Sequence, residues 1–76
     1  MKPLLEAFAR ALVTEPGRVV VTESIDEEGV LLELEVAPGD LGRVIGRRGR
    51  TAESLRVVLD AVAERRDTNC DVEILD

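Results

Sequence analysis

Two glycines that bracket two arginines are the residues of this chain best suited to binding chemistry. They form the tetrapeptide Gly46-Arg47-Arg48-Gly49. Glycine lets a backbone approach a ligand closely and adopt dihedral angles that other residues avoid. Arginine offers a planar fork of hydrogen-bond donors that matches a phosphate group. The combination predicts a short loop that holds an anion against the backbone.

The sequence on either side of this loop predicts two helices. Residues 41–45 form a short apolar segment that Asp40 can cap and that ends at Gly46. Residues 50–66 form a longer amphipathic segment. Its apolar side chains at i, i+3, i+4 and i+7 are Leu55, Val58, Leu59 and Val62. The second helix would direct its unpaired first amides, with the Arg50 amide at its start, and the positive end of its dipole toward the loop.

The other elements follow from hydrophobic spacing. Residues 3–14 have the spacing of a helix, which Glu15-Pro16-Gly17 would end. Residues 18–25 and 30–36 predict two strands of a hairpin joined by a four-residue loop, 26–29, and residues 70–75 predict a last strand. The predicted order is therefore α-β-β-α-α-β. Three helices would cover one face of a three-stranded mixed sheet, an α+β fold with a right-handed crossover between its parallel strands.

Charge is distributed unevenly along the chain. The formal net charge is −6, yet the segment from Arg43 to Arg56 has five arginines and one acid, Glu53. That segment carries +4, which leaves −10 for the rest. A basic spot on an acidic body is consistent with focused binding to a nucleic-acid backbone, and equally with an acidic protein that docks on the spot.

The composition of the chain argues against several classes of function. The chain has no histidine and one cysteine, so we expect no metal site and no cofactor. We also expect no enzymatic activity. No nucleophile–base pair is evident, and the loop lacks the lysine and Ser/Thr of a P-loop. No apolar run approaches the roughly 20 residues of a membrane span. Cys70 can form no internal disulfide, and we interpret it as a small buried side chain in a cytoplasmic protein.

The loop and its neighbours resemble a known family. Val44-Ile45-Gly46-Arg47-Arg48-Gly49, with a helix on each side, resembles the I-G-x-x-G core of KH domains, and the helix-first order resembles their type II arrangement. Residues 40–50 closely resemble the small bacterial KhpA-type RNA-binding proteins. The resemblance extends over essentially the whole chain, so we expect a single KH domain over residues 1–76.

The resemblance implies a non-catalytic protein that binds single-stranded RNA, an RNA chaperone or post-transcriptional regulator with a role in cell shape or division. KH domains clamp about four nucleotides with this loop. Gly46 and Gly49 would admit the backbone, while Arg47 and Arg48 supply charge. The remaining residues implied for RNA contact are Arg43, Arg50 and a shallow apolar groove made by Val44, Ile45, Thr51, Leu55 and Val72. The acidic body predicts weak, salt-sensitive binding.

Protein partners are also implied by the resemblance, as a homodimer or as a complex with a second, larger KH-containing protein. The long helix offers a face for this contact, with Ser54, Val57 and Ala61 away from the predicted core stripe. An alternative function is therefore a protein-interaction adaptor, in which the KH fold serves mainly oligomerisation.

Plainer structural interpretations remain open for single residues. Val44, Ile45 and Leu55 could be core, and a tight turn alone would explain Gly46. Arg56, Arg65 and Arg66 could be solvated helix charges.

Overall fold

The chain folds as a three-stranded sheet with three helices. A computed structural model describes residues 1–76. In chain order the helices and strands are α1 (Lys2–Leu12), β1 (Val20–Asp26), β2 (Gly29–Glu35), α2 (Leu41–Ile45), α3 (Arg50–Arg65) and β3 (Cys70–Ile74). β2 is central, antiparallel to β1 and parallel to β3. The predicted α+β class, element order and mixed sheet are confirmed.

One face of the sheet is buried beneath the helices. Leu32 and Leu34 of β2 are fully buried, as are Leu5 and Ala9 of α1. The alternate β2 residues Leu31 and Glu33 are only partly covered, because successive side chains of a strand point to opposite faces. Phe8, the only aromatic residue, is half-buried and packs against the edge of this core.

The core side of α3 differs from the predicted stripe. Leu55 and Leu59 are buried as expected, but Val58 is 48% exposed and Val62 only partly covered. Ala52 and Ala63 take their places in the buried side. Alanine has almost no side chain beyond Cβ, so these two positions let the helix lie close to the layer beneath it. The prediction placed Val58 in the core because valine is more hydrophobic than alanine, and for Val58 that prediction was wrong.

The hairpin loop is shorter than predicted. Asp26 pairs with Gly29 in the strand register, which leaves only Glu27 and Glu28 in the turn. The Glu28 amide donates to Asp26 Oδ1 at 2.8 Å, and Gly29 has φ +134°. A Cβ at Gly29 would lie 2.6 Å from the Asn69 carbonyl oxygen, so glycine is needed there for close approach of two backbones.

A buried carboxylate joins the end of α1 to the start of α2. The amide and the hydroxyl of Thr14 each donate to Asp40 Oδ1 at 2.9 Å, and the Glu15 amide donates to Oδ2 at 3.1 Å. Asp40 precedes α2 as predicted, but its side chain makes no capping bond to that helix. Chiefly because of the Thr14 amide, the pKa of Asp40 lies below its usual value, although burial acts in the opposite direction.

We predict that Asp40→Asn lowers the melting temperature by roughly 5–10 °C at neutral pH, because an amide has only one acceptor oxygen for these donors. The carboxylate has a depressed pKa in the folded state. Its contribution is therefore complete above about pH 5 and is lost as the pH falls below about 4. Melting curves followed by circular dichroism should show the two proteins converging in acid. Asp26→Asn, in an exposed turn, is the control. A gap that stays constant with pH would contradict this account.

Candidate nucleic-acid interface

The loop between α2 and α3 begins with a glycine that no other residue can replace without strain. Gly46 has φ +78° and ψ 173°, a region essentially restricted to glycine. A Cβ built on Gly46 would collide with Thr51 Oγ1 and lie 2.6 Å from Thr51 Cβ. Gly46 therefore lets the chain reverse while the first turn of α3 packs directly against it.

The second half of the loop is left-handed at two successive residues. Arg48 has φ 58° and ψ 25°, and Gly49 has φ 74° and ψ 10°. For a residue with a Cβ this conformation costs about 1 kcal/mol. A Cβ on Gly49 would meet no atom within 4 Å, so the space above Gly49 is open. A ligand can thus approach the backbone at Gly49, whereas at Gly46 the space is filled by Thr51.

Two backbone amides of the loop make no hydrogen bond within the protein. The Gly46 amide donates to the Gly42 carbonyl and the Gly49 amide to the Gly46 carbonyl. The Arg50 amide, expected at the open start of α3, donates instead to the Arg47 carbonyl. The amides of Arg47 and Arg48 have no acceptor. Successive amides in a right-handed then left-handed pair form a concavity that suits an anion.

The arginine side chains around this concavity are exposed. Arg47, Arg48 and Arg50 form no ion pair, since the only two in the structure join Arg10 to Glu6 and Arg43 to Asp40. Arg43 Nε lies 3.6 Å from Asp40 Oδ1, yet 58% of its side chain remains exposed. The loop and the first residue of α3 therefore carry three exposed guanidinium groups that form no ion pair.

The apolar residues expected to form the groove divide into two groups. Val44, Leu55 and Val72 are buried and belong to the core cluster. Ile45 is 36% exposed and Thr51 is half-buried, so these two offer the accessible surface beside the loop. Contact between each of the five and a base stays a prediction. The buried three can support such a groove from beneath.

The outward face of α3 is apolar at its middle. Ser54, Val57 and Ala61 are all exposed, as expected, and Val57 is exposed over 62% of its surface. Val58, which was predicted for the core side but is 48% exposed, extends this patch. A helix face with two adjacent exposed valines differs from the charged surface that covers most of the molecule.

One contact was not foreseen from the sequence. Arg56 Nη2, on α3, lies 3.4 Å from the carbonyl oxygen of Val72 on the edge strand β3. Glu53 and Asp60 stand at i−3 and i+4, where helical spacing would favour ion pairs, but Arg56 pairs with neither. No sequence signal distinguishes Arg56 from a solvated helix charge, because its partner is a backbone atom brought close only by the fold.

The sheet is acidic. None of the three strands has a lysine or arginine, and Glu33 pairs with Glu73 in the strand register. A depression of about 810 Å³ near the C-terminal end of α3 is lined by five acids, namely Glu28, Asp60, Glu64, Asp67 and Asp71. Burial and the charges of Asp60 and Asp71 raise the pKa of the Cys70 thiol, which keeps it protonated at neutral pH. No helix of the structure is both long and apolar enough to cross a bilayer.

Comparison with known proteins assigns this arrangement to a family. The model of the KhpA/KhpB KH domain matches residues 2–74. The chain belongs to the KhpA/KhpB KH-domain family. The resemblance found in residues 40–50 is thereby confirmed, with the Gly46–Gly49 loop inside the matched region.

Relatives of this family match over nearly their whole length. The RNA-binding protein KhpA of Clostridium acetobutylicum is 45% identical over 75 residues, covering 99% of this chain and 100% of the relative. The RNA-binding protein KhpA of Treponema pallidum is 47% identical, covering 96% and 91%. That of Halalkalibacterium halodurans is 43% identical, with both chains fully covered. No solved structure matches the chain significantly.

We predict that Gly46→Ala and Gly49→Ala differ in their cost to stability. Gly46→Ala should cost about 2–4 kcal/mol, because it combines a glycine-only conformation with a collision at Thr51. Gly49→Ala should cost only about 1 kcal/mol, from its left-handed conformation alone. Urea denaturation measures both. Gly39→Ala, with open space and no positive φ, is the control. Equal losses at the two loop positions would contradict the geometry described.

Proposed function

We propose that this chain binds single-stranded RNA without catalysis and holds the RNA backbone on the loop Gly46-Arg47-Arg48-Gly49. The observation that supports this most strongly is the pair of unused amides at Arg47 and Arg48. Unsatisfied donors beside exposed arginines suit a phosphate oxygen, which accepts bonds from both kinds of group. The relatives carry the name RNA-binding protein KhpA, which agrees with such a ligand.

The charge distribution would orient the RNA as well as attract it. The strands carry acids and no cations, so the open face of the sheet repels a phosphate backbone. The arginines that form no ion pair and lie closest in sequence to the loop are Arg47, Arg48 and Arg50. Binding would then be confined to that loop and the accessible surface of Ile45 and Thr51 beside it. Only about two to four phosphates would be neutralised, which gives weak affinity and steep salt dependence for a single domain.

Weak binding by one domain is commonly offset by pairing two domains. The patch at Val57, Val58 and Ala61 supports a contact of α3 with a second copy or with a second, larger KH-containing protein. Such a dimer would act in the cytoplasm as an RNA chaperone or post-transcriptional regulator, and the family resemblance suggests a role in cell shape. The same patch favours a second candidate function, a protein-interaction adaptor in which RNA contact is incidental.

For the RNA-binding loop, we predict that the double variant Arg47→Asp/Arg48→Asp binds short single-stranded RNA at least about tenfold more weakly than wild type. Fluorescence anisotropy at several salt concentrations measures this. The plot of log affinity against log salt should become shallower by roughly 1.4, about 0.7 for each lost phosphate contact. Arg65→Asp/Arg66→Asp makes the same charge change at the other end of α3, roughly 24 Å away, and should retain the wild-type slope.

Unchanged affinity and slope in the loop variant would refute the clamp. Measurements on the same variants also test the second candidate function, the protein-interaction adaptor. If self-association measured by light scattering survives in the loop variant while no protein binds RNA, the adaptor function is favoured.

For the α3 patch, we predict that Val57→Asp weakens self-association by at least about tenfold, because a carboxylate would be buried without a partner in the interface. Val57 is already exposed in the single chain, so its fold should be retained. Light scattering over a concentration series gives the association state. Val20→Asp, at a valine 51% exposed on the open sheet face, is the matched control. A Val57→Asp protein that remains dimeric would exclude this face.

A further inference from the structure

The outer edge of β1 has backbone groups that no other strand uses. In β2, the Val30 amide and the Leu34 carbonyl form their bonds on the β3 side. In an antiparallel pair, a residue exchanges both backbone bonds with its partner or neither. The register partners of these two residues in β1, Ile25 and Val21, therefore form no bonds with β2, and by alternation neither does Glu23. Because β1 ends the sheet, no strand pairs with this edge.

The second half of this edge is accessible. Val21 is only 5% exposed, so its outward groups are covered, whereas Glu23 and Ile25 are both exposed. Ile25 is 71% exposed, more than any other large apolar residue of the chain. The outward amides and carbonyls of Glu23 and Ile25 have no partner elsewhere in the protein. Two donors and two acceptors in this arrangement match the backbone of one added strand.

Charge determines which kind of strand this edge suits. An added strand would pass beside Glu23 and Asp26, and Glu33 would lie about 10 Å away, two strand spacings across the sheet. A second copy of the edge would bring the same acids against it, and like charges directly opposite are destabilising. At the other edge of the sheet, Arg56 Nη2 lies 3.4 Å from the Val72 carbonyl. The β1 edge has no such cation over it.

We propose that the β1 edge from Thr22 to Asp26 is a docking site for an extended, cationic segment of another protein, which adds to the sheet as a fourth strand. Main-chain bonds to Glu23 and Ile25 would hold this segment. Its side chains would alternate between the two faces of the sheet. Apolar ones would cover Ile25, and lysines or arginines would lie toward Asp26 and Glu33. RNA does not suit this edge, because the acids repel phosphates, so the site does not depend on the proposed RNA function.

The test uses a labelled peptide of about seven residues that alternates lysine and valine, and fluorescence anisotropy measures its affinity. A second peptide of the same sequence has N-methyl groups on alternate backbone amides, so it keeps the charge but cannot donate to the edge. The methylated peptide should bind at least about tenfold more weakly, because two main-chain bonds are lost. Equal affinities would show attraction by charge alone and would overturn the proposal. A wild type that binds neither peptide at low salt would also overturn it.

Two substitutions at Ile25 separate its backbone from its side chain. Ile25→Pro removes the outward amide but no bond between β1 and β2, and edge strands tolerate proline where the amide faces outward. It should weaken binding of the unmethylated peptide at least about tenfold. Ile25→Thr keeps the amide and should weaken binding by no more than about threefold. Circular dichroism checks that both variants are folded, and equal losses in the two would contradict the main-chain contact.

A further measurement needs only the wild-type protein. In hydrogen exchange followed by NMR, the unmethylated peptide should slow exchange of the Glu23 and Ile25 amides and leave the Val72 amide, on β3, unchanged. Slowing at Val72 instead would place the peptide on the other edge and overturn the proposal. Light scattering tests the remaining occupant. Self-association of wild type that disappears in Ile25→Pro would identify a second copy as the added strand, and a cationic partner would then be wrong.

Discussion

The buried carboxylate of Asp40 is the contact on which the geometry of the candidate site depends. It accepts three hydrogen bonds from Thr14 and Glu15, at the end of α1, and stands immediately before α2. α2 has only five residues and cannot be stable by itself. Its orientation must therefore come from tertiary contacts, namely the buried Val44 side chain and, at its start, Asp40. Gly46 follows immediately at the other end of α2. The helix that leads into the candidate binding loop is thus fixed at its start by a buried carboxylate and ends at a glycine.

The net charge of the protein and the charge of its loop have opposite signs. A net charge of −6 on a small domain favours solubility and opposes the approach of nucleic acid to the acidic surface. The arginines of the loop act locally, because charges farther apart than about 8–10 Å are screened at physiological ionic strength. An anion close to the loop would therefore respond mainly to the side chains and backbone amides of Arg47 and Arg48. The negative net charge belongs to the whole protein, whereas the positive charge of the loop arginines acts only on groups close to them. Net charge alone is therefore a poor guide to the ligand of this chain.

Much of the fold was predictable because the sequence encodes it locally. The alternating residues of β2 and the Pro-Gly turn after α1 each have a single simple interpretation. The failures arose where tertiary contact decided the outcome. Alanines rather than valines face the core on α3, since the helix packs closely at Ala52 and Ala63. Asp40 was expected to cap its own helix, but the folded chain places better donors at Thr14 and Glu15. Arg56 was indistinguishable from a surface charge, because a backbone carbonyl leaves no trace in the pattern of side chains.

The exposed edge of β3 has a further consequence for the protein in the absence of any ligand. An unpaired strand edge is a template for another strand and a common starting point for aggregation. β3 is only five residues long, and Asp71 and Glu73 alternate along it. Arg56 lies across its central carbonyl, where an incoming strand would need to bond. The short strand, its like charges and the Arg56 guanidinium over the open Val72 carbonyl together discourage the addition of a strand from another copy.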